Sequence, residues 1–360
     1  MNITELPDIK PYSLGKVEKE KFLNQILTSL SRHHYNCCTP YRKMMDSIGF
    51  DPAKDYHFTD LMFLPVQLFK MFELYSVPKE EIVKTLTSSG TSGQKRSQVF
   101  LNKVTAVDQT KVLTKILSSF IGNKRLPMII IDSENTVKNR SHLSASATAI
   151  LGFSLFGSKR IFALNEQMEL DLDRLKSFTD EYKGVPLLIF GFTFNVYQHF
   201  CQELKKAGIQ PDLSNAVIIH GGGWKKLEKE SVSPKEFRKM LLDVCCISRV
   251  HDYYGMVEQT GTIYMECDSG HYHSSIYSEI IIRRSHDFSI ADVGEEGIIQ
   301  VLSILPKSYP GHSLLTDDMG VLLGEDDCPC GRLGKYFKIT GRIENAEKRG
   351  CSDAYEEISN

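Results

Sequence analysis

Residues Thr87 to Ser97 read TSSGTSGQKRS, placing hydroxyl side chains, two glycines and a lysine within a few positions of one another. Glycine tolerates positive φ, so a loop of this composition ahead of a helix can turn successive N–H groups inward as an anion nest. Hydroxyls at Ser88, Ser89, Thr91 and Ser92, and the ammonium of Lys95, would add donors for phosphate oxygens. The spacing is not that of a P-loop, because Gly90 and Gly93 stand too close and Lys95 follows Gln94 rather than glycine. Taken alone, the segment reads more readily as an ordinary solvated loop than as a phosphate site.

Two further groups of side chains could do chemistry. Cys267 with His271 or His273 in CDSGHYH, and Cys328 and Cys330 in CPCGR, supply three sulfurs and an imidazole from two loops, a donor set that suits tetrahedral zinc. The C-x-C spacing is tighter than the common C-x2-C, and such a zinc would be structural. Near the end of the chain, Cys351 follows Lys348, Arg349 and Gly350; neighbouring cations raise a thiol's thiolate fraction, and the glycine permits close approach. The competing reading of Cys351 is an unreactive tail thiol.

The elements that must position these groups follow from hydrophobic spacing. In residues 18–34 Phe22, Ile26, Leu27 and Leu30 recur at helical intervals, and FTDLMFLPVQLFKMFELY (58–75) repeats the pattern around Pro65, so a helical region is expected over 1–85. Short apolar runs at 128–131, 187–190 and 217–219 read as buried strands, and 105–122, 171–182 and 193–208 as helices, the last stopped by Gly208. Such alternation implies an α/β fold with a mostly parallel sheet flanked by helices. Beyond residue 260, TIYMEC, SEIIIRR and GIIQVLSIL suggest a β-rich part over about 260–340, with tight turns at Gly294 and Gly297. The expected division is 1–85, a core over 86–340, and a hinge and tail over 341–360.

Composition narrows the function classes. With 43 basic and 45 acidic residues the chain is nearly neutral and carries no nucleic-acid footprint. The charged start MNITELPDIKPYSLGKVEKEK is not a secretory signal, and the uncharged run Ser141 to Ser158 falls short of the roughly 20 apolar residues of a spanning helix. A cytoplasmic protein without a transmembrane segment is expected, its nine cysteines reduced or metal-bound.

The order of motifs resembles the adenylate-forming superfamily of acyl and aryl ligases. Ser88-Ser89-Gly90-Thr91-Ser92-Gly93-Gln94-Lys95 fits its phosphate loop, with Gln94 where proline is common. Gly221, Gly222 and Gly223 after His220 are similar to the loop that packs against adenine. Tyr253-Tyr254-Gly255-Met256-Val257-Glu258 is similar to the motif in which a tyrosine faces adenine and the glutamate coordinates magnesium, Val257 replacing threonine. Thr316-Asp317-Asp318 resembles the element whose last aspartate holds the ribose hydroxyls, and Gly341-Arg342 the ribose contact before the hinge. Residues 37–52 and 60–70 are similar to the amino-terminal region of the phenylacetate ligase branch, some members of which carry metal near the Cys/His positions.

The tail, with HGGGWKKL and TSSGTSGQKRSQVF, closely resembles the acyl-protein synthetase family of the bacterial bioluminescence fatty acid reductase complex. That resemblance implies ATP and Mg2+ as cofactors and a long-chain fatty acid as substrate. Cys351 would carry the acyl group, and acyl-CoA reductase-type and acyl-transferase subunits would be partners. Lys95 and Glu258 would neutralise charge at the α-phosphate. The chain ends eighteen residues after Arg342, so a truncated segment is expected where relatives have a lid domain with its lysine. The alternatives are a truncated acyl-CoA or acyl-amine ligase and a nucleotide-binding subunit without catalysis. Phe192, Phe194 and the small apolar helix at 141–157 are candidates for an acyl pocket, and Trp224 for a wall of the adenine site, against ordinary packing for each.

Overall fold

The computed structural model describes residues 9–88, 95–138, 144–224 and 231–343. These fall into two compact units that interleave in sequence: 9–88, 95–120 and 255–343 form one, and 121–138, 144–224 and 231–254 the other.

The first unit begins with helices Lys16–Cys37 and Thr39–Ser47, the first burying Leu23, Leu27, Leu30 and His34 along one stripe. Lys19 on that stripe is also buried, with its ammonium 3.2 Å from the Glu279 carboxylate and 3.0 Å from Ser274 Oγ. Burial pulls the Lys19 pKa down, and Lys19 holds Glu279 low against its own burial. The expected helix over 58–75 does not form. That stretch makes a 3₁₀ turn Phe58–Asp60, a short strand β1 (Leu64–Pro65) and one helical turn Leu68–Met71. Proline cannot continue a helix from its interior, and the backbone here pairs instead with a long strand, Leu64 opposite Leu314. Strands β2 (Ile82–Thr87) and β3 (Gln98–Asn102) then form an antiparallel hairpin leading into helix Lys103–Ile121.

The second unit contains the α/β alternation. Strands β4 (Leu126–Ser133), β5 (Gly157–Leu164), β6 (Leu187–Phe192), β7 (Ala216–Gly221) and β8 (Arg249–Tyr254) lie in the order β8-β7-β6-β4-β5, every pair parallel. β4, β6 and β7 are apolar almost throughout, as strands covered on both faces must be. The helices have local signals of their own. Asp171 caps Leu172–Glu181 by accepting from Arg174 N, Ser233 and Glu236 make a reciprocal cap for Pro234–Cys245, and Gly208 at φ 64° ends the helical stretch begun at Thr193. That stretch contains a π-helical turn, Val196–Cys201, which the apolar spacing did not announce.

The chain returns to the first unit in β9 (Tyr264–Glu266), β10 (Tyr272–His273), β11 (Ser278–Arg283), β12 (Glu296–Ser303), β13 (Ser313–Glu325) and β14 (Lys335–Arg342), antiparallel in the order β11-β12-β13-β14-β10-β9. Gly294, at φ 88°, makes the expected turn. Gly297 does not: it lies within β12, where a Cβ would sit 2.3 Å from the Arg283 carbonyl oxygen. Close cross-strand approach, rather than chain reversal, is what requires glycine there. Among the described residues no helix is long and apolar enough to cross a membrane.

Candidate active site

Ser88 closes the base of the β2–β3 hairpin. Its N–H donates to Ser97 O at 3.1 Å, and its hydroxyl accepts from Ser97 N–H at 2.9 Å. The serine-glycine segment thus falls between strands β2 and β3 in the sequence, and the helix at Lys103 begins only after β3. Ser89, Gly90, Thr91, Ser92 and Gly93 lie outside the described residues; Lys95, just after them, is exposed.

In the first unit Glu258 sits in a buried 3₁₀ turn, Val257–Gln259, three residues after Gly255. Tyr309 donates its phenolic hydrogen to the Glu258 carbonyl at 2.9 Å. Gly311 lets the two segments meet, since a Cβ there would stand 2.3 Å from the Tyr309 ring and 2.8 Å from the Glu258 oxygen. The Gln259 amide donates to Val301 O and Gly311 O, so the turn is held by buried hydrogen bonds at the glutamate and at the residue after it.

Asp318 on β13 and Arg342 on β14 are cross-strand partners, with Arg342 Nε 3.0 Å from Asp318 Oδ1. Thr316 supports the aspartate, its hydroxyl donating to Ile299 O at 2.7 Å and accepting from Asp318 N–H. Gln67 Nε2 reaches Asp317 Oδ2 at 2.6 Å, a contact from a distant segment that motif reading did not include. Both Asp318 and Arg342 remain partly open to solvent.

The second unit carries the glycine loop. Gly221 ends β7 beside Tyr253, whose ring would lie 2.3 Å from any Cβ at that position; Gly222 adopts φ 79°; Gly223 faces open space. Tyr253 in turn leans on Phe153 and Phe190, with centroids 5.0 Å and 6.3 Å away. Tyr254 ends β8 half-buried. Trp224 packs edge-on against Tyr197 and Phe237, half-buried against the hydrophobic core of this unit. Phe192 is buried beside Phe190, and Phe194 contacts His199.

The sulfur-rich loops do converge within the first unit. Cys267, His273, Cys328 and Cys330 each offer a ligand atom, all within 4.8 Å of one another. His271 stands beside this group, its Nδ1 3.4 Å from Cys328 Sγ and its ring stacked on Tyr336. Both loops use the same turn: Gly270 N–H donates to Cys267 O and Gly331 N–H to Cys328 O, each glycine at positive φ. Separations of 3.9 Å for Cys267–Cys328 and 3.3 Å for Cys330–His273 Nε2 approach the edges, about 3.5–3.8 Å, of a tetrahedron with zinc–ligand bonds of about 2.0–2.3 Å. Burial pushes the Cys328 thiol up to about 12 and the His273 imidazole down to about 4. Cys330 is also raised by burial, but hydrogen bonds from Arg332 and Cys328 hold it below its ordinary value.

The fold is that of the adenylate-forming ligases. The structure of 2-hydroxyisobutyryl-CoA ligase in the postadenylation state with 2-HIB-AMP matches with a TM-score of 0.72 at 15% identity, over 93% of this chain and 70% of that one. A long-chain-fatty-acid-CoA ligase from Archaeoglobus fulgidus matches at 0.50 and 15% identity, over 74% and 52%. The chain belongs to the LuxE acyl-protein synthetase family, whose model matches residues 3–359. Among similar proteins are the long-chain-fatty-acid–luciferin-component ligases of Vibrio harveyi, 21% identical over 97% of this chain and 92% of that protein, and of Aliivibrio fischeri, 22% identical over 95% and 90%.

Proposed function

We propose that the protein activates a long-chain fatty acid with ATP and then carries the acyl group itself as a thioester on Cys351. The observation that carries this reading is family membership along residues 3–359, which include that cysteine. Cys351 lies outside the described residues. The carboxylate oxygen of the fatty acid attacks the α-phosphorus, the bond to the β-phosphate oxygen breaks, and pyrophosphate leaves with its electron pair. The Cys351 thiolate then attacks the acyl carbonyl, AMP departs, and the thioester remains on the chain.

The residues divide the work by chemical type. Backbone N–H groups of residues 89–93 and the ammonium of Lys95 would offset the charge that gathers on the α-phosphate, the Ser88 N–H being engaged by Ser97 O. Asp318 accepts from the ribose hydroxyls, with Arg342 Nε 3.0 Å from its Oδ1, and Tyr254 with Gly221–Gly223 meets the base. Glu258 would hold magnesium, an oxygen-seeking ion that a carboxylate on a rigid buried turn suits; when bound it supplies positive charge at the phosphates. Its neighbours Tyr309 and Gln259 keep that turn in place.

The product would pass in the cytoplasm to an acyl-CoA reductase-type subunit beside an acyl-transferase subunit. Cys267, Cys328, Cys330 and His273 would hold a structural zinc, their separations and paired glycine turns being the supporting observations. That ion would tie the β9–β10 turn to the β13–β14 connection and take no part in acyl transfer.

Incubation with ATP, Mg2+ and saturated acids of graded length tests this. Pyrophosphate release with labelled protein in the wild type, and adenylate without labelled protein in Cys351→Ser, is the expected result. Continued product formation by Cys351→Ser with coenzyme A or an amine would mean a different acceptor. No pyrophosphate release with any acid would mean a passive nucleotide binder.

A further inference from the structure

The glycine loop is anchored by a hydrogen-bonded chain that joins His220 of the motif to Thr193, which lies outside it. Thr193, just after β6, and His220, on β7 just before the loop, are both buried. Thr193 Oγ1 lies 2.9 Å from His220 Nδ1 and 3.2 Å from the carbonyl oxygen of Gly221. A threonine hydroxyl has one hydrogen, and a carbonyl can only accept. Once the hydroxyl donates to Gly221 O it must accept from the imidazole, so Nδ1 carries a proton. Asp252, the residue opposite His220 on β8, places Oδ1 3.6 Å from the same nitrogen, where its charge favours that protonation. Phe237 packs against the ring, 4.8 Å away at 55°.

Consequences for the loop follow from its geometry. Gly221 cannot be steadied by a side chain of its own, because Tyr253 occupies the space a Cβ would need, and Gly222 adopts a left-handed backbone. The Gly221 carbonyl is therefore the handle by which the peptide plane leading into Gly222 and Gly223 is set. A fixed plane aims the following amides before any ligand arrives, which lowers the ordering cost of binding.

Resting on the reading that this loop meets the base of ATP, we propose that Thr193 and His220 are positioning residues for the nucleotide, orienting the Gly221 carbonyl, with Asp252 favouring the His220 tautomer that carries its proton on Nδ1. They act through the loop and touch neither reacting atom. Substitutions that keep the donor pattern should preserve function, and those that keep only shape should not. Thr193→Val retains volume without a hydroxyl, whereas Thr193→Ser keeps the hydroxyl. His220→Asn places an amide N–H close to the position of Nδ1–H, whereas His220→Leu has none.

The test is titration of the full-length protein with the fluorescent nucleotide mant-ATP and Mg2+, alongside circular dichroism to establish that each variant is folded. Thr193→Val and His220→Leu should weaken binding about tenfold, corresponding to about 1.4 kcal/mol. Thr193→Ser and His220→Asn should stay within about threefold of wild type on the same scale. Equal binding by wild type and both disrupting variants would overturn the proposal alone, as would equal weakening by disrupting and conservative variants. A folded wild type that does not bind mant-ATP would overturn the nucleotide reading and this inference with it.

Discussion

Asp318 and Arg342 face each other across β13 and β14, with Arg342 Nε 3.0 Å from Asp318 Oδ1 and both side chains partly exposed. An exposed ion pair contributes only about 0–1 kcal/mol to stability, so neither side chain is needed to hold the sheet together. Asp318→Asn should leave the denaturation midpoint almost unchanged while raising KM for ATP in pyrophosphate exchange tenfold or more, about 1.4 kcal/mol or above. Equal effects on stability and KM would assign the pair to the scaffold.

Lys19 and Glu279 form the opposite kind of pair, almost wholly buried, with charges 3.2 Å apart. Removing one partner leaves an uncompensated charge, so Lys19→Met should cost about 3–5 kcal/mol in urea denaturation. The double replacement Lys19→Met with Glu279→Leu should recover a large part of that loss.

His34 and His312 stack at 4.9 Å in the first unit, His34 bonded to Ser76 and the Pro306 carbonyl, and His312 to Ser31. Burial pushes His312 down to about 3 and His34 well below its ordinary value, with the neighbouring imidazoles, including His33, adding to the shift. The folded state thus holds both rings neutral. Their contribution is complete above the unfolded pKa of about 6.5 and is lost as pH falls from there toward 3, on the order of 1.4 kcal/mol per pH unit for each ring. His312→Gln, which keeps a donor toward Ser31, should lessen the slope of unfolding free energy against pH below 6.5.

Gly221→Ala should be destabilising by about 1–3 kcal/mol, because the added methyl meets the Tyr253 ring at 2.3 Å. Gly223→Ala has open space around it and should change stability by no more than about 0.5–1 kcal/mol. Thermal denaturation of the two variants distinguishes the roles of adjacent glycines.

Elemental analysis of the purified protein should find about one zinc per chain, lost on replacing Cys330 by serine. Stripping the metal with a chelator should lower Tm by several degrees, because the buried thiols would regain protons in place of a cation.

Local chemistry made much of this protein legible from its residues. Apolar runs at 128–131, 187–190 and 217–219 lie within the buried parallel strands β4, β6 and β7, because a strand covered on both faces has no polar side to mark. Gly208 ends its helix because that position needs a left-handed backbone. Cysteines 267, 328 and 330 group by donor type and by resemblance to metal-bearing relatives, and the turns draw them together.

What only tertiary structure decided were pairings between distant segments. Apolar spacing over 58–75 reads as one helix, yet burial of Phe58, Leu61, Leu64 and Phe69 is achieved along a path of short turns broken by a two-residue strand, because β13 offers hydrogen bonds to Leu64 and its neighbours. His273 rather than His271 completes the close four-ligand set because β10 pairs with β14 at Tyr336 and Phe337. Thr193, His220 and Asp252 carry no mutual signature along the chain. They meet because parallel pairing sets the C-terminal ends of β6, β7 and β8 side by side, and a hydrogen bond across strands depends on register that one-dimensional spacing does not contain.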